Sequence, residues 1–241
     1  MKLQRILSFL RKAVEDYHMI QAGDKIAVGV SGGKDSLSLL LALKNLQRFY
    51  PEPFELEAIT VSLGFSGTDY SPIAQLCQKI LVPYTVISTD IGKIIFDDRQ
   101  EKNPCSLCSK MRKGALNDAA VEKGCNKIAL GHNKDDVIET FFMSLFYEGR
   151  IHTFAPVSYL DRKKVTVIRP LLYLPESDAK KFALENNLPI VKNPCPADGS
   201  TKRQETKELV AQLSAQYENL SEKVFGAIMR SSMKGWNGGE S

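Results

Sequence analysis

An apolar run, Lys25–Val30 (KIAVGV), passes directly into Ser31-Gly32-Gly33-Lys34-Asp35-Ser36, and then into Leu37, Leu40, Leu41 and Leu43 at helical spacing. A short apolar run closed by glycines reads as a buried strand, and the leucine spacing reads as a helix laid on a sheet. A strand, a tight turn and a helix in that order commit the chain to an α/β design. The turn itself carries chemistry. Adjacent Gly32 and Gly33 let the backbone fold back and expose consecutive N–H groups. With the helix N-terminus those groups form an anion cradle suited to pyrophosphate. Ser31 and Ser36 add hydroxyl donors, Lys34 adds a cation, and Asp35 offers a hard oxygen for Mg²⁺. The spacing matches neither G-x-x-x-x-G-K-S/T nor G-x-G-x-x-G, so a Walker loop and a dinucleotide fingerprint are both excluded.

The same rhythm continues. Strands are expected at 57–63, 84–89, 127–132 and 165–169, with helices at 35–46, 72–81, 109–123 and 135–147. This predicts a mostly parallel sheet with helices on both faces, and a mainly helical C-terminal extension. Leu3, Ile6, Leu7, Leu10 and Val14 mark an amphipathic N-terminal helix. Arg11 and Lys12 interrupt any signal-peptide core there. The expected divisions are 1–24 for that helix, 25–174 for the nucleotide domain, 175–234 for the extension and 235–241 for a disordered tail. No apolar run reaches membrane-spanning length. The sequence thus reads as a cytoplasmic protein with no membrane partner, and it leaves a homodimer open. The net charge of +4 is uneven: residues 26–149 carry 13 Lys/Arg against 15 Asp/Glu, while 150–203 carry 10 against 5. That excess points to a polyanion, or to a solvated basic face. Its cations include Arg150, Arg162, Lys163, Lys164, Arg169, Lys202 and Arg203.

A second loop, Gly131-His132-Asn133-Lys134-Asp135-Asp136, follows the fourth strand. Gly131 allows close approach to a nucleotide. Asp135 complements the helix end, and Asp136 faces the phosphates and shares Mg²⁺. His132 either polarises phosphate or is simply packed. Of five cysteines, Cys77 and Cys125 read as packing residues. Cys105 and Cys108 form a Cys-x2-Cys ahead of a basic helix, and Cys195 lies downstream between Pro194 and Pro196. On spacing alone this set fits a redox pair, a zinc site completed by His132, Asp198 or water, or the ligands of an iron–sulfur cluster.

Ser31–Ser36 resembles the SGGxDS signature of the PP-loop ATP pyrophosphatases, which cleave ATP between the α and β phosphates. With 19–36 (MIQAGDKIAVGVSGGKDS), Cys105–Gly114 (CSLCSKMRKG), Lys127–Asp136 (KIALGHNKDD), FYEG at 146–149, VIRPL at 167–171 and Cys195, the chain is similar to the tRNA 2-thiocytidine synthetases from about residue 3 to 230. The resemblance implies a 4Fe-4S cluster on Cys105, Cys108 and Cys195. It implies ATP and Mg²⁺ on Ser31, Gly32, Gly33, Lys34, Asp35, Ser36, Gly131 and Asp136, with Val61 and Ser62 beside the base or ribose. Arg112, one turn beyond Cys108, either orients phosphate or tRNA or is an exposed cation of its helix. The partners implied are tRNA, at its anticodon loop, and a sulfur donor that the sequence does not identify. Many relatives carry a further cysteine at the position of Asp198, and often an acidic residue after the second strand, where this chain has Val61-Ser62-Leu63-Gly64. Two rivals stand beside this reading: an ammonia-using PP-loop ligase with a structural zinc, and an ATP-binding iron–sulfur module without catalysis. Thiolation of a different tRNA nucleoside is a further alternative.

Overall fold

Lys25–Val30 supplies the middle of a six-stranded sheet. The computed structural model describes residues 3–101, 104–191, 194–196 and 201–236. In chain order, α1 (Leu3–Asp16) precedes β1 (Asp24–Gly29), α2 (Lys34–Leu46), β2 (Phe54–Ser62), α3 (Ser71–Lys79) and β3 (Tyr84–Ser88). A one-turn helix, α4 (Ile91–Lys93), runs into a π-helical turn, Ile94–Asp98, followed by α5 (Pro104–Glu122), β4 (Lys127–Ala129) and α6 (Lys134–Glu148). Then come β5 (Val157–Leu160), β6 (Val165–Ile168), α7 (Glu176–Glu185), α8 (Lys202–Gln216) and α9 (Leu220–Met229).

The strand order is β3-β2-β1-β4-β6-β5. Every pairing is parallel except β5 with β6. The chain builds outwards from β1 to β3 and then restarts at β4 on the other side of β1. The sheet therefore changes direction between β1 and β4. Loops leaving the carboxyl ends of two such strands part company and open a crevice between them. Ser31–Ser36 follows β1 and Gly131–Asp136 follows β4, so both chemical loops of the sequence meet at that crevice.

One apolar core takes in Ile6, Leu10 and Val14 of α1, the leucines of α2, Ala179 and Phe182 of α7, Phe225 of α9, and Trp236. Trp236 corrects the expectation of a disordered tail from Gly235: it is 2% exposed and meets Tyr17 and Phe225 edge-on at ring-centroid distances of 6.3 and 5.9 Å. Residues 237–241 lie outside the described residues, as does Asp198. Two further differences bear on function. α5 begins at Pro104 rather than near Ser109, so Cys105 and Cys108 sit in its first turns instead of in a loop ahead of it. Proline at a helix start is pre-set for the helical φ and gives up an N–H that would have no partner. The antiparallel β5 is also new. It is a four-residue edge strand with Tyr159 56% exposed, too short and too polar to signal itself by periodicity.

Candidate active site

The start of α2 is open. Gly33 occupies its N-cap position with φ −80° and ψ 160°, and no side chain caps the helix. Its first N–H groups therefore have no partner within the helix. Gly32 has φ +85°, the left-handed region that favours glycine. The two serines brace the turn: Ser31 N–H donates to Ser36 Oγ at 3.1 Å, Ser36 Oγ donates to the Gly33 carbonyl at 3.0 Å, and Gly33 N–H donates to Ser31 Oγ at 3.3 Å. The start of α6 is closed instead. Asn133 accepts from the Asp136 N–H at 3.1 Å while Asp136 Oδ2 accepts from the Asn133 N–H at 2.9 Å, a reciprocal capping box.

Charged groups join these two helix starts. Asp35 accepts from Lys34 Nζ at 2.8 Å and from Asn133 Nδ2 at 3.2 Å. Lys34 also donates to Glu176 at 2.8 Å. Burial opposes the Lys34 charge, but Asp35 and Glu176 outweigh it and hold the ammonium above its ordinary pKa. Asp135 Oδ2 accepts from the Glu176 N–H at 2.7 Å, which satisfies a donor at the start of α7 and leaves Asp135 its helix-end role. Asp136 is more committed than expected. Beside its cap, its second oxygen accepts from Arg203 at 3.1 Å. Burial raises the Asp136 pKa, while the Asn133 N–H and Arg203 favour its charge.

A cavity of about 460 Å³ opens over the carboxyl ends of β1 and β2. Ser31, Gly33, Asp35 and Ser36 form one side; Ile59, Val61 and Leu63 give an apolar floor; Gly131 and His132 close the β4 side. The wall facing the phosphate loop comes from α5. It carries Cys105, Cys108, Arg112 and Lys113, and Cys195 completes it. Burial raises the thiol pKa of both Cys105 and Cys108; neighbouring Cys195 adds to each shift, and Arg112 opposes it at Cys108. Cys77 and Cys125 are buried elsewhere, with thiols pushed up to about 11 by desolvation, as packing residues should be. The three cavity thiols share a wall without closing on one point: among the described residues, no three His, Cys, Asp or Glu could hold a single metal ion. A cubane cluster takes its thiolates at separate iron corners. Three thiols spread over one wall fit that donor set.

The structure thus brings Ser31, Gly33, Asp35, Ser36, Val61, Gly131, Arg112 and the three cysteines to one cavity. Gly32, Lys34, Ser62 and Asp136 are not among the residues that line it. Gly131 has a reason beyond a nucleotide: a Cβ there would stand 2.9 Å from Ser36 N and 3.0 Å from the Asp35 carbonyl carbon and oxygen. The glycine lets the two loops touch. The basic segment divides. Arg169 is buried behind His132, Arg203 reaches Asp136 and Glu139, and Lys163 pairs with Asp118. Arg162, Lys163 and Lys164 sit in the β5–β6 turn, at the end of the sheet away from the cavity. Sequence reasoning missed Lys113, Thr201 and the apolar wall of Phe65, Ile95 and Phe96. Lys113 was legible one residue beyond Arg112; the π-helical turn carrying Ile95 and Phe96 has no periodic signal.

Residues 3–213 match the family model described as the PP-loop domain. A tRNA-cytidine(32) 2-sulfurtransferase of Syntrophotalea carbinolica is 37% identical over 228 residues, spanning 93% of this chain and 88% of that protein. The protein of the same name in Geobacter sulfurreducens is 35% identical over 230 residues, spanning 94% and 90%. Among solved structures, a U34-tRNA thiolase from Methanococcus maripaludis, determined with its 4Fe-4S cluster, superposes with a TM-score of 0.75 at 26% identity, covering 91% of this chain and 76% of that one.

Proposed function

Because the chain belongs to the PP-loop family, and within it to the tRNA-cytidine(32) 2-sulfurtransferases, we propose that it spends ATP to replace the O2 oxygen of a cytidine in the tRNA anticodon loop with sulfur. The observation that carries this reading is the single cavity whose one wall is the open α2 start and whose other wall holds three thiols.

A pyrimidine carbonyl oxygen is a poor leaving group. Attack by that oxygen on the α-phosphate of ATP releases pyrophosphate and turns the oxygen into part of AMP, a good one. The N–H groups of the first turn of α2, which have no partner within the helix, stabilise charge on the departing pyrophosphate. Asp35 would supply oxygen to Mg²⁺. Asp136 would be a second oxygen donor, in competition with its contact to Arg203. Ile59, Val61 and Leu63 give the nucleotide an apolar bed, and Arg112, on the cavity wall near Cys108, is placed to orient phosphate. Cys105, Cys108 and Cys195 would hold a 4Fe-4S cluster on the cavity wall, and that group would supply the sulfide chemistry for the activated carbon. Addition of sulfide at C2 and loss of AMP leave the thiocarbonyl.

Nucleoside mass spectrometry of tRNA, from cells with and without the gene, tests the reading. 2-Thiocytidine present only with the gene supports it. An unchanged thionucleoside profile, with ammonia-dependent pyrophosphate release by zinc-containing protein, overturns it in favour of a PP-loop ligase.

A further inference from the structure

Among the described residues, Arg169 is a guanidinium with no carboxylate partner. It follows β6, is 7% exposed, and meets only neutral groups: Nε donates to Nδ1 of His132 at 3.2 Å, and Nη1 donates to the Ala155 carbonyl at 2.5 Å and to Ser158 Oγ at 3.4 Å. The Phe154 ring lies under it, 4.9 Å from Cζ to the centroid. Burying a cation without a counter-ion is costly, so the pair invites a functional reading. A guanidinium has donors and no acceptor. The nitrogen it meets on His132 must therefore carry a lone pair. The imidazole is then neutral with its proton on Nε2. Phe154 also stacks against that imidazole, with centroids 4.7 Å apart and planes 30° from parallel, so ring plane and tautomer are set together. Burial, helped by the charges of Arg169, Arg203 and Lys113, pushes the His132 pKa down to about 3, which keeps the ring neutral at cellular pH. His132 lines the cavity beside Gly131, and no described group accepts a hydrogen bond from Nε2.

We propose that His132 presents a fixed Nε2–H donor to a phosphate oxygen of the nucleotide in the cavity, and that Arg169 is the positioning residue that sets this tautomer. The inference rests on the ATP reading above. His132 lines the same cavity as Ser31, Gly33, Asp35 and Ser36 of the open α2 start, where phosphate would lie. A neutral donor adds a hydrogen bond there without adding charge.

The chain has three histidines, so ¹⁵N-histidine-labelled apoprotein resolves the tautomer directly, with His132→Phe assigning the signal. The wild type should show Nε2–H with Nδ1 unprotonated. Arg169→Met should give mixed Nε2–H and Nδ1–H tautomers, because the donor that occupies Nδ1 is gone. Arg169→Lys, which keeps a donor, should restore the Nε2–H form. If Arg169→Met fails to fold, affinity for a non-hydrolysable ATP analogue decides. His132→Phe should lose roughly tenfold or more, the scale of a hydrogen bond to a charged group. His132→Gln, with an amide donor near the Nε2 position, should lose less. An Nδ1–H or charged ring in the wild type, or full affinity in His132→Phe, overturns the proposal. The correct tautomer in a wild type that binds no nucleotide overturns the ATP reading and the donor role together. The wrong tautomer with normal nucleotide binding overturns this inference alone.

Discussion

Gly33→Ala and Gly131→Ala separate the cradle from the scaffold that holds it. At Gly33 the backbone is extended, and a Cβ would meet only Ser31 Oγ at 3.5 Å, an ordinary contact. Loss of chain entropy in the unfolded state favours Ala by about 0.4–1 kcal/mol; loss of a glycine at the N-cap position works the other way by a similar amount. The net change should stay within about 1 kcal/mol, or roughly 2–4 °C in Tm for a chain of this size. The added methyl nonetheless stands on the cavity wall, over the N–H groups assigned to phosphate. At Gly131 the Cβ would press on Ser36 N at 2.9 Å and on Asp35 backbone at 3.0 Å, and neither atom is the flexible end of a side chain. Overpacking of this kind costs about 1–3 kcal/mol, or roughly 2–12 °C. The assay is thermal unfolding with and without a non-hydrolysable ATP analogue. At 100 times Kd the ligand should stabilise wild type by about 2.7 kcal/mol. Gly33→Ala should keep the unliganded Tm and lose most of the ligand-induced rise. Gly131→Ala should lose Tm before any ligand is added. A full ligand-induced rise in Gly33→Ala would refute the placement of phosphate over the α2 start. An unchanged Tm in Gly131→Ala would refute the loop contact.

The thiols make a sharper set: Cys105→Ala, Cys108→Ala and Cys195→Ala should each lose the iron and sulfide of anaerobically prepared protein, whereas Cys77→Ala and Cys125→Ala should keep both, as read by metal analysis and visible absorbance. Trp236→Ala should cost about 3–5 kcal/mol, as for a fully buried aromatic, measured by denaturant unfolding; a cost near zero would show that the tail does not belong to the core. Replacing Arg162, Lys163 and Lys164 together should leave nucleotide affinity unchanged. If the β5–β6 turn tracks tRNA backbone, the slope of log affinity against log salt should become shallower by roughly 0.7–0.9 for each phosphate that is no longer neutralised; an unaltered slope removes the turn from the tRNA footprint.

The fold was legible wherever burial was two-sided. β1 and β4 are buried along almost their whole length, so their sequences read as short apolar runs that lead into a glycine turn, and their place in the sheet follows from the alternation with helices. β5 was not legible, because an exposed edge strand of four residues has neither an apolar run nor a period. The loops were legible as chemistry but not as geometry. Ser31–Ser36 states its donors outright. The commitments of Asp136 to Asn133 and Arg203, and of Lys34 to Glu176, join residues 3, 67 and 142 positions apart, and nothing local announces the longer two. Arg169 shows the same limit in reverse: sequence counts it as one more cation of a basic face, and only the packing of β6 against β4 turns it inward onto His132.

The third thiol poses a distinct problem, since 87 residues separate Cys195 from Cys108, and a loop that long carries a large closure entropy unless something fixes its path. The path is fixed at the phosphate loop. Val191 N–H donates to the Gly32 carbonyl at 3.0 Å, and a Cβ on Gly32 would stand 3.1 Å from Val191 Cβ. The segment leading to Cys195 is therefore tied to the backbone of the SGGKDS turn four residues before the thiol. Gly32 then serves two masters: its positive φ shapes the cradle, and its carbonyl delivers the distal cysteine to the α5 wall. The SGGKDS turn and the segment that carries the distal thiol thus meet at one peptide. This accounts for why two chemistries drawn from opposite ends of the chain converge at the switch point between β1 and β4, and why neither loop can be lengthened or re-angled without displacing the other.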